Sequence, residues 1–563
     1  MFNKTGLDHG DKVQSLVCPR PGSIRRIIHF ESCGQSAVLQ NICSEVERCI
    51  NSTQTVVYKD DRAAKVAAVS CAGHRYVIKE YRSRNLPKAL GRALGRSRAR
   101  KTWDRSIILL EHDIPIGRPV AWIEDKIGLF CLRSFFITQQ LPGTTAREYL
   151  QNPHLEQEAI QEAVEQIVRS IQQMHSRGIT YGDTKDTNIV IDQKRIAWVD
   201  YDAVSKSTHQ FFFVHKVMKD WQLLQYNWRD MPRIHHVFLD VLRQHFSWSE
   251  YVQLIKSFVR YNKYKMRSER RERLFENMRG DKSFGLLHLC GQSGLKKRRL
   301  FQKDIAVCNG IKNSDLQNGV SVLLRRMLDI WSDEGWSDNA WQLVRSSRTA
   351  VVGHFSYNKT LLYFKVFLPR NRFDKLKSLI RGSRCRRAVY NKKLLRTAGF
   401  NVAQVVSWTE HKGIGLMLTK AISGQNLDLF LGKPRKLMTA KEKKAHMVVL
   451  EELGKQTGIL HACGFGHGDL RLSNILLRFE HERPVLYLLD NERTKFYGKV
   501  PEGVMIKNLT QINVDSIQRL SSTDRLRIFK SYQKAIGTSF SRQDQRRILR
   551  KVFLRTQKRL QKT

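Results

Sequence analysis

Acidic residues are scarce in this chain, and so are several signatures that would settle its class at once. Aspartate and glutamate total 52 against 98 lysines and arginines, giving a formal net charge of +46. That deficit of negative charge points to anionic partners: nucleic acid, an anionic membrane surface or a phosphate-rich substrate. Ten cysteines are scattered from Cys18 to Cys463 with no C-x-x-C pair and no clustered histidine, which argues against a zinc site and for reduced thiols. The start, Met1-Phe-Asn-Lys-Thr, has no apolar core of signal-peptide length, and no apolar run approaches the ~18 residues of a spanning helix. The expectation is a soluble or peripheral protein. Low-complexity tracts are also missing, and 41% hydrophobic content with 10 Trp and 26 Phe excludes wholesale disorder.

What is present is a phrase that occurs twice. Tyr181-Gly-Asp-Thr-Lys-Asp-Thr-Asn188 returns as His467-Gly-Asp-Leu-Arg-Leu-Ser-Asn474. Each follows a helical stretch, and each precedes an apolar strand ending in aspartate, Asp200 or Asp490. Upstream, each has a strand carrying a lysine, Tyr76-Val-Ile-Lys79 and Leu362-Tyr-Phe-Lys365. Lys79 to Asp183 and Lys365 to Asp469 both span 104 residues, and Trp122 and Trp408 share the 286-residue offset of the two aspartates. Matching spacing across so many positions marks an internal duplication.

The repeated tetrad is Lys, Asp, Asn, Asp, and it is suited to phosphoryl transfer. That reaction needs phosphates held, magnesium fixed and an acceptor hydroxyl aimed in line. Lys79 and Lys365 are placed to reach nucleotide phosphates as point charges. Asp183 and Asp469 are candidates to accept or orient the acceptor hydroxyl. Asn188, Asp200, Asn474 and Asp490 offer oxygen ligands for Mg²⁺. Lys185 and Arg471, each two residues after the catalytic aspartate, can neutralise charge on the moving phosphoryl group. A hinge-like segment repeats too, Thr138 to Gly143 and Thr419 to Gly424, with backbone that could meet an adenine.

The match to the protein-kinase motif set is partial. His-Arg-Asp becomes Tyr-Gly-Asp and His-Gly-Asp; Asp-Phe-Gly becomes Asp200-Tyr-Asp and Asp490-Asn-Glu. No Ala-Pro-Glu follows, and no Gly-x-Gly-x-x-Gly precedes either lysine. The helix glutamate that usually pairs with the strand lysine is missing. Between Lys79 and Pro115 the only glutamates are Glu80 and Glu111, neither suitably placed, and Thr102 and Ala388 occupy the expected positions.

These residues resemble the lipopolysaccharide kinase family, the bacterial Kdo and heptose kinases. The likeness extends to Arg96-Ser-Arg-Ala-Arg-Lys-Thr-Trp103 and Ile114-Pro-Ile-Gly-Arg-Pro-Val-Ala-Trp122, to their counterparts at 381–387 and 400–408, and to Leu489-Asp-Asn-Glu-Arg493. It covers about 70–260 and 355–510, and His467 and Arg493 bring the second copy nearer the family pattern. The resemblance implies an α+β chain of tandem, two-lobed, protein-kinase-like domains using ATP and Mg²⁺ on a sugar hydroxyl of a lipopolysaccharide core or related anionic glycolipid. Alternatives on the same fold are a protein or small-molecule kinase, or a nucleotide-binding pseudokinase scaffold.

The expected organisation is an extension over 1–45, a first domain over 46–265, a basic junction over 266–314 and a second domain over 315–563 with a basic C-terminal helix. Leu86, Leu90 and Leu94 beside Lys88, Arg92 and Arg96 suggest a basic amphipathic helix. Phe373, Leu376 and Leu379 beside Lys375, Lys377, Arg381 and Arg384 suggest its twin. Such helices fit docking on anionic head groups, so the expected location is cytoplasmic, peripheral on the inner face of a bacterial inner membrane. No specific nucleic-acid module is apparent.

Overall fold

A computed structural model describes residues 14–19, 24–30, 42–82, 96–279, 284–301, 342–368 and 382–561, isolated positions within these ranges excepted. The chain forms two compact units, divided between Leu242 and Arg243.

The first unit begins with a seven-stranded antiparallel sheet: β1 (Gln14–Pro19), β2 (Ile24–Phe30), β3 (Val56–Asp60), β4 (Ala64–Cys71), β5 (His74–Arg82), β6 (Pro119–Ile127) and β7 (Phe130–Gln139). Their order is β1-β2-β6-β7-β5-β4-β3. The sheet's core gathers Ile28, Ala67, Ile78, Ile123, Phe135 and Ile137. The hairpin β1–β2 lies inside the stretch expected to be an extension, yet β2 pairs with β6 over seven residues, and His29 stacks on Trp122 at 4.3 Å. Helix α1 (Arg98–Leu110) begins at a Ser97 cap, whose hydroxyl accepts from Arg100 N at 3.1 Å. Trp103 on that helix meets Trp122 at 4.7 Å. Helix α2 (Gln157–Ser176) buries the expected stripe Ile160, Val164, Ile167, Ile171 and Met174. After it come the repeated Tyr181–Asn188 phrase, the expected hairpin Ile189–Asp192 with Arg195–Trp198, and helix α3 (Gln210–Trp228).

The second unit repeats this plan. Helix α4 (Trp248–Arg279) precedes β8 (Phe284–Gly291), β9 (Gly294–Phe301), β10 (Gln342–Ser347), β11 (Ala350–Tyr357) and β12 (Thr360–Phe367). Then follow α5 (Arg384–Thr397), β13 (Val405–His411), β14 (Ile414–Lys420), α6 (Ala440–Ala462) and α7 (Glu502–Ser516). The sheet order, β9-β8-β13-β14-β12-β11-β10, repeats the five inner and far-edge strands of the first unit but reverses its edge hairpin, since β8, the first strand of the hairpin, pairs with β13, whereas in the first unit β2, the second, pairs with β6. Residues 266–314 were expected to be a junction, but β8–β9 joins this sheet through β13, and α4 reaches α5, where Tyr390 Oη donates to Lys263 O at 3.3 Å. Both hairpins escape pattern reading because they are added at a sheet edge, where pairing depends on the rest of the fold.

The amphipathic stripes expected near 86–94 and 373–381 lie outside the described residues, apart from Arg96 and Arg384. Among the described residues no helix is long and apolar enough to cross a membrane.

Candidate active site

In each unit the strand lysine faces the loop bearing the last aspartate of the tetrad. Lys79 Nζ contacts Asp200 Oδ1 at 2.5 Å, and Lys365 Nζ contacts Asp490 Oδ1 at 2.8 Å. Both aspartates are left-handed, with φ of 69° and 48°. Aspartate tolerates that region better than most residues, and such backbone at a functional position is held there by its surroundings. Burial, the strongest influence on Asp490, favours the neutral acid, but Lys365, first, and Arg384 outweigh it and hold the carboxyl below its ordinary range.

The two aspartate–asparagine loops share their main bonds. Asn188 Nδ2 donates to Asp183 O at 2.9 Å, and Asn474 Nδ2 to Asp469 O at 3.0 Å. Val199 N donates to Asn188 O and Leu489 N to Asn474 O, both at 2.9 Å. The strand before each metal-type aspartate is thereby tied to the loop's asparagine. Lys185 pairs with Asp183 at 2.7 Å and Arg471 with Asp469 at 3.1 Å. Gly182 and Gly468 have φ near +81° and +80°, and a Cβ there would lie 2.6 Å from Ala203 O or 2.5 Å from Arg493 O. Glycine is therefore required on two counts, and the loop can lie flat against the segment after Asp200 or Asp490.

The interchange of Tyr181 and His467 also has a physical reason. Tyr181 Oη donates to Val199 O, and His467 Nε2 lies 2.9 Å from Leu489 O, which can only accept. Each side chain supports the carbonyl just before the metal-type aspartate. Burial lowers the pKa of His467, keeping it neutral with its proton on Nε2.

The structure thus brings together every predicted site residue: Lys79, Asp183, Lys185, Asn188 and Asp200 in one unit, and Lys365, Asp469, Arg471, Asn474 and Asp490 in the other. The hinge candidates lie where β7 and β14 leave the sheet. Each copy presents one carboxylate and one amide; among the described residues no three His, Cys, Asp or Glu gather as a metal cage. A carboxylate and an amide oxygen fit magnesium, which commonly takes its remaining ligands from phosphates and water.

Several supporting residues were missed. Buried Asp220 accepts from Tyr181 N at 2.9 Å, Gly182 N at 2.7 Å, Thr184 Oγ1 at 2.8 Å, and meets His175 Nε2 at 3.0 Å. In the second unit Asn508 meets His467 N at 3.2 Å and His461 Nε2 at 3.1 Å. Gln511 Nε2 donates to Asp469 Oδ1 at 3.0 Å. Arg384, the 286-residue counterpart of Arg98, donates to Glu492 Oε2 at 2.8 Å. That register could have exposed the Arg98–Arg384 pair, because the quoted Asp200-Tyr-Asp and Asp490-Asn-Glu already hold their carboxylate partners.

Two sheets capped by helical lobes, each with a lysine, an aspartate–asparagine loop and a metal-type aspartate, define a tandem protein-kinase-like protein. A model of the lipopolysaccharide kinase (Kdo/WaaP) family matches residues 51–247 and 345–547, one segment per copy. The chain belongs to that family, and its class is that of a kinase, a phosphotransferase. A solved structure described as "WaaP in complex with acyl carrier protein" aligns with 38% of this chain and 88% of its own, at 16% identity and a TM-score of 0.30. No curated protein matches the chain in sequence.

Proposed function

We propose that the chain transfers the γ-phosphoryl group of ATP to a sugar hydroxyl, Kdo or heptose, of a lipopolysaccharide core or related anionic glycolipid. The observation that carries this reading is the recurrence of the Lys–Asp–Asn–Asp tetrad with the same bonds in both units. ATP would supply the phosphoryl group, and a bound Mg²⁺ would supply charge screening for its phosphates. Asn188 and Asp200, or Asn474 and Asp490, would hold the metal. Lys79 or Lys365 would hold the phosphates, and the 138–143 or 419–424 backbone would receive the adenine. Asp183 or Asp469 takes the acceptor's proton as the new oxygen–phosphorus bond forms and the bond to the β-phosphate oxygen breaks, with ADP leaving. Lys185 or Arg471 offsets the charge that spreads over the transferring group.

The net charge of +46 supports work on an anionic glycolipid at an anionic membrane surface, with peripheral attachment on the cytoplasmic side. The test is transfer of labelled γ-phosphate to purified lipopolysaccharide core with Mg²⁺, comparing the native chain with Asp183→Ala and Asp469→Ala. Loss in one variant assigns the working copy, and partial loss in each assigns two. Absence of transfer to any core sugar by the native chain refutes the proposed acceptor.

A further inference from the structure

We propose that Asp202 is the positioning carboxylate of Lys79, supplying from the loop after Asp200 what kinases of this fold usually supply from a helix glutamate. The inference rests on the nucleotide-binding part of the function proposed above.

Thr102 stands on α1 where the glutamate is expected, and its side chain is too short to reach across to the lysine. Its hydroxyl instead donates to Asp202 Oδ1 at 2.8 Å, and Asp202 Oδ2 receives Lys79 Nζ at 3.0 Å. The helix-to-lysine link is therefore rebuilt with a second residue inserted. Tyr81 Oη also donates to Oδ1, Arg98 Nη2 donates to Oδ2 at 3.2 Å, and Arg105 donates to the Asp202 carbonyl. Glu80, the nearest glutamate in sequence, bonds Arg82 on its own strand at 3.0 Å.

The division of labour between the two aspartates follows from what surrounds them. Both oxygens of Asp202 are engaged by donors, and its side chain is 25% exposed. Asp200 is 43% exposed. It is the carboxylate better placed to meet a cation. With Asp200 committed to a metal, Asp202 would still hold Lys79 in register for phosphate, and the lysine would not be left to wander. In the second copy the counterparts of Tyr81 and Thr102 are Phe367 and Ala388, which have no hydroxyl, and the carboxylate Glu492 takes bonds from Arg384 at 3.1, 3.1 and 2.8 Å. The cradle belongs to the first copy.

The experiment uses the full chain carrying Lys365→Ala, so that the first copy is read alone, and titrates a fluorescent ATP analogue with Mg²⁺. Asp202→Asn is expected to weaken binding roughly 10- to 100-fold, the range for losing a charged hydrogen bond. Adding Thr102→Glu to Asp202→Asn, which moves the carboxylate onto the helix, is expected to recover most of that loss. The Mg²⁺ concentration at half saturation should stay the same. A purely structural Asp202 would not be rescued from the helix. Should Asp202→Asn misfold, Thr102→Val, which removes the helix's bond to Asp202 Oδ1 and leaves Tyr81 as that oxygen's donor, is expected to weaken binding several-fold. Unchanged affinity in the variant that folds overturns the proposal. So do failed rescue, a rise in the Mg²⁺ requirement, and a first copy that binds no nucleotide. No acceptor sugar takes part, so a failure to phosphorylate glycolipid leaves this result readable.

Discussion

The two copies share a backbone plan but solve its electrostatics in opposite ways. The first sets two carboxylates, Asp200 and Asp202, against Lys79, and places another, Asp220, beneath its catalytic loop. The second pairs Lys365 with Asp490, puts Asn508 where Asp220 stood, and carries Lys392 at the helix position of Ser106. Burial, with Lys365 nearby, pushes the pKa of Lys392 down to about 8. In the first copy burial, the strongest influence on Asp202, favours the neutral acid, yet Lys79, Tyr81 and Thr102 together hold its carboxyl below the ordinary range. The first copy therefore has a carboxylate beneath its loop where the second has an amide, and the second has a buried lysine on its helix where the first has a serine. Duplication preserved the geometry that aligns a tetrad, while the charges around it diverged in concert.

The largest effect should come from Asp183 and Asp469, the aspartates proposed to take the acceptor's proton. Asp183→Asn and Asp469→Asn should each lower transfer by their own copy roughly 10²- to 10⁴-fold, measured with the other copy silenced. Equal residual rates in both would break the comparison, because unlike charge surroundings should not give the same chemistry.

Next is the response to acid. His461 is buried between Asn508 and Tyr532, and burial lowers its pKa from 6.5 to about 4. The unfolded chain then binds the extra proton between those values, so stability that is full above pH 6.5 is lost as pH falls toward 4. The loss should approach about 3 kcal/mol, read from denaturant unfolding of the second unit's transition. Asn508→Asp would place a carboxylate beside His461, as Asp220 stands beside His175, and should recover part of it.

A smaller contrast lies in the lysine cradle. Thr102→Ala should weaken nucleotide binding by the first copy about tenfold, because it removes a hydroxyl bonded to a charged carboxylate. Ala388→Thr should change the second copy less than about twofold, since no equivalent arrangement awaits the hydroxyl. Smallest is Lys392→Met. The folded-state value near 8 lies below the unfolded 10.5, so stability should rise with pH across that window in the native chain. The variant should lose that rise and gain about 1–2 kcal/mol at neutral pH from removing a buried charge beside Lys365, read as a higher melting temperature.

The tetrads were legible because their spacing is local and repeated: a lysine strand, a loop of fixed length, and a hairpin ending in aspartate. Helix α2 was legible from its apolar stripe, and Thr102, expected where a helix glutamate would stand, lies on α1. Its replacement was not legible, since Asp202 arrives from 100 residues away and is recognised only by the bonds that Lys79, Tyr81 and Thr102 make to it. Asp220 was hidden for a similar reason. A lone aspartate in the aromatic helix Gln210–Trp228 has no pattern until the loop folds onto it. The flanking hairpins β1–β2 and β8–β9 were missed because pairing at a sheet edge is a tertiary decision.

The most direct test of the whole account is calorimetric titration of the full chain with ATP and Mg²⁺, repeated with Lys79→Ala and Lys365→Ala. Two tetrads in unlike charge surroundings predict two binding sites of different affinity, with each substitution deleting one. A single site that survives either substitution, or two sites that neither substitution disturbs, would contradict it.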